Sequence, residues 1–504
     1  MKALFSIQNW FLEHVGNIDI ETIQKWFLYD PKHPLLFNSA LFLGLFLFFY
    51  VIYILSRKTH YFRITYVVAF SIFFYYKSSG VYFWLLIFSS MVDYVLSRLI
   101  YEEPKQWYRK FYMILSLLIN LGMLAYFKYT NFFIDNYNNF FSGNLKFEDI
   151  VLPVGISFYT FQILSYTVDV YRGDLKPTKN FIDFLFFVSF FPQLVAGPIV
   201  RASDFIPQIY EKLKLTKEEF NRALFLIIGG LLKKAVISDY ISSNFVDRVF
   251  DAPNSYTAFE NLMASYGYAI QIYCDFSGYS DIAIGLALLM GFWLPDNFRT
   301  PYQSASITEF WRRWHISLSS WLRDYLYISM GGNRKGKLRT YFNLFMTMLL
   351  GGLWHGASWK FVVWGILHGL ALVFEKFFGQ FIKLPKNAFV RTIQVVLTFH
   401  FVVFCWLFFR AKDFTTAFQM AHNISQLTFD FNQWMTIILG YKHVFLLIAI
   451  GVVWHFIPMK TLAVMQNTFS KLPLVAKAIL LGLIYWVVYA TASADTQPFI
   501  YFQF

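Results

Sequence analysis

The 504 residues are 57% hydrophobic and 14% charged, with a mean hydropathy of +0.46; an average soluble domain is about 25% charged. Apolar runs recur from end to end, which excludes a soluble enzyme of two to four domains and makes the bilayer the solvent. The net charge of +13 does not point to nucleic acid, because the Lys and Arg stand in short loops between apolar runs, as in Lys105 to Lys110, Lys212-Leu213-Lys214, Lys233-Lys234 and Arg334 to Arg339. Such loops read as cytoplasmic.

In chain order, residues 1–30 alternate charged and apolar positions, an interfacial amphipathic segment rather than a cleavable signal peptide. Pro34 to Ser56, Tyr341 to Trp359, Thr392 to Phe409 and Ala478 to Ala494 carry no charge, and each approaches the roughly 20 residues that cross a bilayer. Weaker runs lie near 62–77, 81–100, 111–127, 150–168, 181–200, 222–240, 261–294, 361–374 and 443–459. The expectation is an all-α polytopic membrane protein with about eleven or twelve spans in one domain over 1–504. Cys274 and Cys405 lie far apart in apolar segments, so neither a disulfide nor a Cys/His metal site is expected.

Polar residues at membrane depth carry the functional signal, because they are costly there. Asp275 and Asp281, in Tyr273-Cys274-Asp275-Phe276-Ser277-Gly278-Tyr279-Ser280-Asp281, need partners: a His, an Arg from the next stretch, or a purely structural pairing. That next stretch is Trp311-Arg312-Arg313-Trp314-His315, continuing through Ser319 to Tyr325. Its aromatic and Leu positions recur at three- and four-residue steps, a helical stripe, with Arg312, His315, Ser319 and Arg323 near another face. The guanidinium groups suit a phosphate of an acyl carrier, or else lipid headgroups, the reading the stretch taken alone favours slightly. Third, Trp354-His355-Gly356 ends a charge-free run amid Gly351, Gly352 and Ala357. Its imidazole is either a proton-transfer group or a buried His bonded to a neighbouring helix. Last, Tyr501 in the aromatic tail Pro498 to Phe504 is an interface anchor or a nucleophile.

Together these stretches resemble the membrane-bound O-acyltransferase family, most closely its bacterial branch that O-acetylates alginate and peptidoglycan. The resemblance covers most of the chain, through Leu152 to Gln162, Ala196 to Arg201, Asp275 to Asp281, Asn297 to Tyr302, Phe310 to Tyr327, Gly331-Gly332-Asn333-Arg334, Gly351 to Trp359 and Phe408 to Ala411. It implies a ring of helices around a central funnel, with interfacial and re-entrant helices, in the bacterial inner (cytoplasmic) membrane. By the same resemblance, residues 150–411 form the catalytic core, and 430–504 add C-terminal helices and the aromatic tail.

The resemblance assigns His355 as the catalytic base and His315 as the second histidine. Arg312, Arg313, Trp311, Trp314, Ser319 and Asn333 would serve the donor or the oxyanion, with Asp275, Asp281 and Trp354 in support. Tyr501 would carry the acyl group. No bound cofactor is implied; acetyl-CoA or another acyl thioester is the donor substrate. An envelope polysaccharide and a periplasmic SGNH-type (Ser-His-Asp) enzyme would be partners, alongside membrane lipids. Two alternatives stay open: D-alanyl transfer to teichoic acid, and a transporter or flippase of a lipid-linked saccharide, although no paired halves of the transporter kind are visible.

Overall fold

A computed structural model describes residues 26–491 apart from 32–33, 57, 196, 212–213 and 383. Most of the amphipathic segment expected over 1–30 and the whole aromatic tail lie outside the described residues. The rest is helical, without a strand among the described residues, as a chain in lipid must be if its backbone bonds are to close within each segment.

The N-terminal helices are α1 (Ala40–Leu55), α2 (His60–Ser79), α3 (Phe83–Glu102), α4 (Gln106–Phe141) and α5 (Ile156–Arg172). After shorter pieces come α6 (Lys217–Leu231) and α7 (Ala258–Leu289). The C-terminal half holds α8 (Lys337–His355), α9 (Trp359–Phe378), α10 (Ala388–Arg410), α11 (Phe431–Gly440), α12 (Lys442–Phe456), α13 (Met459–Lys471) and α14 (Leu474–Thr491).

Among the described residues five helices are long and apolar enough to cross a bilayer, and the pairs α11–α12 and α13–α14, bent by 90° and 117°, raise this to seven. The expected eleven or twelve counted apolar runs that form continuous but shorter or less apolar helices, as in α1, α5 and α8. It also counted separately the runs at 62–77 and 81–100, which join in one long helical stretch, and runs that the structure breaks. Residues 181–200 fold as two short helices with a coil after them, and the run at 222–240 changes helix type halfway.

Helix α7 is almost wholly buried and packs against α6, α10 and α12. It begins with a capping box in which the Thr257 hydroxyl accepts from the Glu260 N–H, while the Glu260 carboxylate accepts from the Thr257 N–H. It meets α6 through glycines. A Cβ on Gly278 would stand 2.8 Å from the Gly230 carbonyl oxygen, and one on Gly285 2.7 Å from that of Ala223. Small residues permit this approach, the usual way helices associate in lipid.

Beyond Leu231 the helix widens into a π-helical stretch, Leu232–Ser238. The wider turn aims two consecutive lysines inward. Lys233 pairs with Asp281 at 2.5 Å, and Lys234 with Asp275 at 2.6 Å and Asp239 at 2.7 Å. Two expectations are corrected here. Lys233-Lys234 is a buried cationic pair rather than a loop, because carboxylates on α7 and the adjoining Asp239 neutralise it. Asp275 and Asp281 take Lys partners rather than a His or an Arg of the 311–323 stretch. Cys274 and Cys405 are buried free thiols, as the spacing predicts.

Candidate active site

Helix α8 delivers His355 as its last residue because Gly356 adopts an extended conformation, φ −166° and ψ 153°. A Cβ on Gly356 would lie 2.1 Å from the Phe361 ring, and one on Gly352 2.4 Å from the Phe361 carbonyl oxygen. The α8–α9 hairpin is therefore closed tightly around the histidine. Gly352→Ala forces the two backbones apart and is expected to destabilise the protein by about 1–3 kcal/mol, the usual cost of overpacking, measurable as a lower melting temperature in detergent.

The His355 ring is buried among Trp354, Trp364 and Phe409, with centroids 5.1, 5.0 and 5.3 Å away. The last carbonyls of a helix lack intrahelical donors, and here α4 supplies them. The Lys128 ammonium donates to the carbonyls of Trp354 (2.7 Å) and His355 (3.0 Å), and the Tyr129 hydroxyl donates to that of Leu353 (2.7 Å). Lys128, Trp354 and His355 line a small, partly open cavity of about 60 Å³, walled on another side by the start of α5 through Gly155, Ser157 and Phe158.

His315 occupies a break between the short helices Ile307–Trp311 and Ile316–Trp321, in a left-handed conformation with φ +44°. Such a backbone costs a non-glycine residue about 1–3 kcal/mol and needs its surroundings to enforce it. Asn297 does so. Its amide nitrogen donates to Ser280 Oγ (3.2 Å), so its Oδ1 is the acceptor, taking bonds from Ser317 Oγ (2.9 Å) and from His315 Nδ1 (3.1 Å). Nδ1 then carries the proton, and Nε2 is the acceptor of the neutral ring. The ring is fully buried, 4.6 Å from the Phe276 centroid and 6.5 Å from that of Trp354.

A second cavity of about 400 Å³ opens beside Trp311, Arg312, Ser319, Arg323, Tyr327 and Met348. The side chain of Arg312 is exposed into it and makes no hydrogen bond or ion pair with a described residue. Arg323 and Arg201 both hold Asp324. Burial alone would raise the Asp324 carboxyl, but the hydrogen bond from Arg323 and the charge of Arg201 hold it below the usual carboxylate range. Met348 and His355 are seven residues apart on α8, roughly 10 Å along its axis. One helix thus presents a face to each cavity.

The remaining expected site residues are distributed unevenly. Trp311 and Ser319 line the arginine cavity with Arg312, and the Trp311 indole donates to His368 Nδ1 at 3.3 Å. Arg313 is drawn away into an ion pair with Glu309 at 2.7 Å. Trp314 is packed between Phe310 and Trp406, and Asn333 is exposed in a turn. The single helical stripe expected over 311–325 is corrected: the break at Arg312 to His315 turns His315 into the interior and leaves Arg312 at the cavity. Tyr501 lies outside the described residues. No group of three or more His, Cys, Asp or Glu among the described residues is placed to hold a metal ion.

The sequence reading passed over Lys128, Tyr129 and His368. Lys128 had a signal, since it is a lone cation directly after the apolar run 111–127, inside a helix that continues to Phe141.

An all-α polytopic membrane protein whose two cavities meet the same His-terminated helix defines the class. The chain belongs to the membrane-bound O-acyltransferase family, whose signature matches residues 174–417. It is 45% identical over 330 residues to the probable alginate O-acetylase AlgI of Pseudomonas aeruginosa, covering 64% of this chain and 61% of that protein. It is 37% identical over 416 residues to the peptidoglycan O-acetyltransferase of Helicobacter pylori, covering 77% and 79%. It is 34% identical over 285 residues to the teichoic acid D-alanyltransferase of Bacillus subtilis, covering 53% and 71%. The chain thus spans less than two thirds of the length of the alginate O-acetylase it matches.

Proposed function

We propose that the protein is an O-acetyltransferase of the bacterial inner membrane that serves O-acetylation of an envelope polysaccharide. The observation that carries the reading is His355 at the end of α8, buried beside a small cavity, with the Arg312 cavity roughly 10 Å along the same helix. Relatives named for O-acetylating alginate and peptidoglycan support the group transferred and the acceptor class.

The end of the molecule that carries the arginine cavity is marked by the basic lining of that cavity, Arg312 and Arg323. By the positive-inside rule that end faces the cytoplasm. An acyl thioester, acetyl-CoA in this reading, enters there with its phosphates toward Arg312 and Arg323, a charge-assisted contact. The acceptor hydroxyl approaches from the opposite side. Its oxygen attacks the acyl carbon as His355 takes its proton, the C–S bond breaks, and the proton passes from the imidazolium to the departing thiolate. Tyr501 is the proposed first acceptor, forming an aryl ester that a second hydroxyl then cleaves. An SGNH-type periplasmic enzyme is the proposed partner that places the group on the polymer.

The test is mild-alkali release of acetate from separated envelope glycans of cells making the chain and cells lacking it. Acetate present in one fraction only when the chain is made supports the reading and names the acceptor. Release of D-alanine without acetate would move the chain to the teichoic acid reaction, and neither product would end the acyltransferase reading. Arg312→Ala is expected to raise the half-saturating donor concentration about tenfold or more, since a hydrogen bond to a charged group is worth about 1.5–3 kcal/mol, with a smaller effect on the maximal rate.

A further inference from the structure

We infer that Lys128 is a positioning residue for the transfer reaction, fixing the end of α8 and with it the His355 ring; the inference rests on the acyltransferase reading. Lys128 sits within α4, and none of the ion pairs among the described residues involves it. An ionisable group at membrane depth without a carboxylate beside it is functional by default. Its ammonium has three donors. Two are spent on the carbonyls of Trp354 and His355 at 2.7 and 3.0 Å, and the third points toward Ser157 Oγ at 3.5 Å. It also lies 5.8 Å from the centre of the Trp354 ring, a cation–π distance. One side chain therefore ties together α4, the start of α5 and two residues that line the His355 cavity, Trp354 and His355 itself.

The position needs such a tie. His355 is the last residue of its helix, so no following turn holds its backbone. The carbonyl end of a helix carries partial negative charge, which an ammonium answers better than a neutral donor. Tyr129 secures Leu353, two residues before His355, without charge. A loosened helix end displaces the imidazole, and a misplacement of ~1 Å lowers rate by on the order of 100-fold. Donor binding is seated at the other cavity, among Arg312, Ser319 and Arg323, and should not feel the change.

The experiment uses membranes from cells making the full chain, with acetyl-CoA varied and alkali-labile acetate on the glycan fraction measured, at matched protein levels. Lys128→Met keeps the aliphatic stem and removes the charge and the donors. It is expected to lower the maximal rate about 10- to 100-fold, with the half-saturating acetyl-CoA concentration within about twofold of wild type. Lys128→Arg, which keeps a charged donor, is expected to recover a clear part of that rate, and Tyr129→Phe to lose less than Lys128→Met.

A wild-type maximal rate in Lys128→Met overturns the inference. So does a loss in which Lys128→Arg fares no better than Lys128→Met while both melt at lower temperature, since that marks a packing role alone. His355→Ala in the same assay separates the levels. If it is inactive while Lys128→Met is normal, only the positioning role falls; if it too transfers acetate, the reading of the whole site falls.

Discussion

His355→Ala is expected to lower acyl transfer by about 10³-fold or more while the protein still inserts and accumulates. The size follows from the two proton transfers assigned to one imidazole. General acid–base catalysis is worth about 10²–10⁴-fold, and no second histidine or carboxylate among the described residues lines the same cavity: its walls are otherwise Lys128, which is engaged with the carbonyls at the end of α8, Ser157 and apolar or backbone groups. His355→Gln, which keeps a polar side chain of similar reach but cannot shuttle a proton, should be as inactive. The comparison is rate per unit of protein in the membrane, read as glycan acetate. A loss below tenfold would reduce His355 to a buried hydrogen-bonding group and move the search for the base to His315. That ring lies 6.5 Å from Trp354, centroid to centroid, with Asn297 setting its tautomer. His315 is a poor first target for mutation, because a fully buried ring in a left-handed backbone holds a turn in place, so its removal confounds folding with chemistry.

Lipid as solvent made part of this architecture legible and obscured the rest. The hydrocarbon runs announce helices, since unbonded backbone is not tolerated at depth, and the glycines around His355 announce a close helix pair. His355 and Arg312 stood out because each is costly in an apolar segment. Periodicity failed where helices change type. A regular 3.6-residue reading of 311–325 puts Arg312 and His315 near one face, but the left-handed turn at His315 sends them apart. The π-helical stretch after Leu231 likewise hid Lys233 and Lys234, since two adjacent cations read as a loop until the wider turn aims both at α7. Lys128 was missed for a different reason. What it serves is backbone, the carbonyls at the end of a helix more than two hundred residues away, and a sequence gives no sign of which carbonyls are left without donors.

The buried charges of α6 and α7 give the largest expected loss of stability. Lys234 stands between Asp275 and Asp239, and removal of one member of a buried ion pair costs about 3–5 kcal/mol because a charge is left uncompensated. Lys234→Met is expected to destabilise the protein by at least that amount, since two carboxylates lose their cation, and to show as a large drop in melting temperature in detergent or as failure to accumulate. The triple variant Lys234→Met/Asp239→Asn/Asp275→Asn removes the charges together and should regain much of the loss, because neutral groups of similar shape carry no comparable desolvation cost. Recovery in the triple variant alone would identify the cluster as a self-neutralising structural unit, with acyl transfer returning alongside stability. If stability returned but transfer did not, the charges would have a role in the reaction, despite their separation from the His355 cavity walls. If Lys234→Met alone were as stable as wild type, water or lipid headgroups would have to reach these carboxylates, and the close glycine packing of α6 on α7 around Gly230 and Gly278 argues against such access.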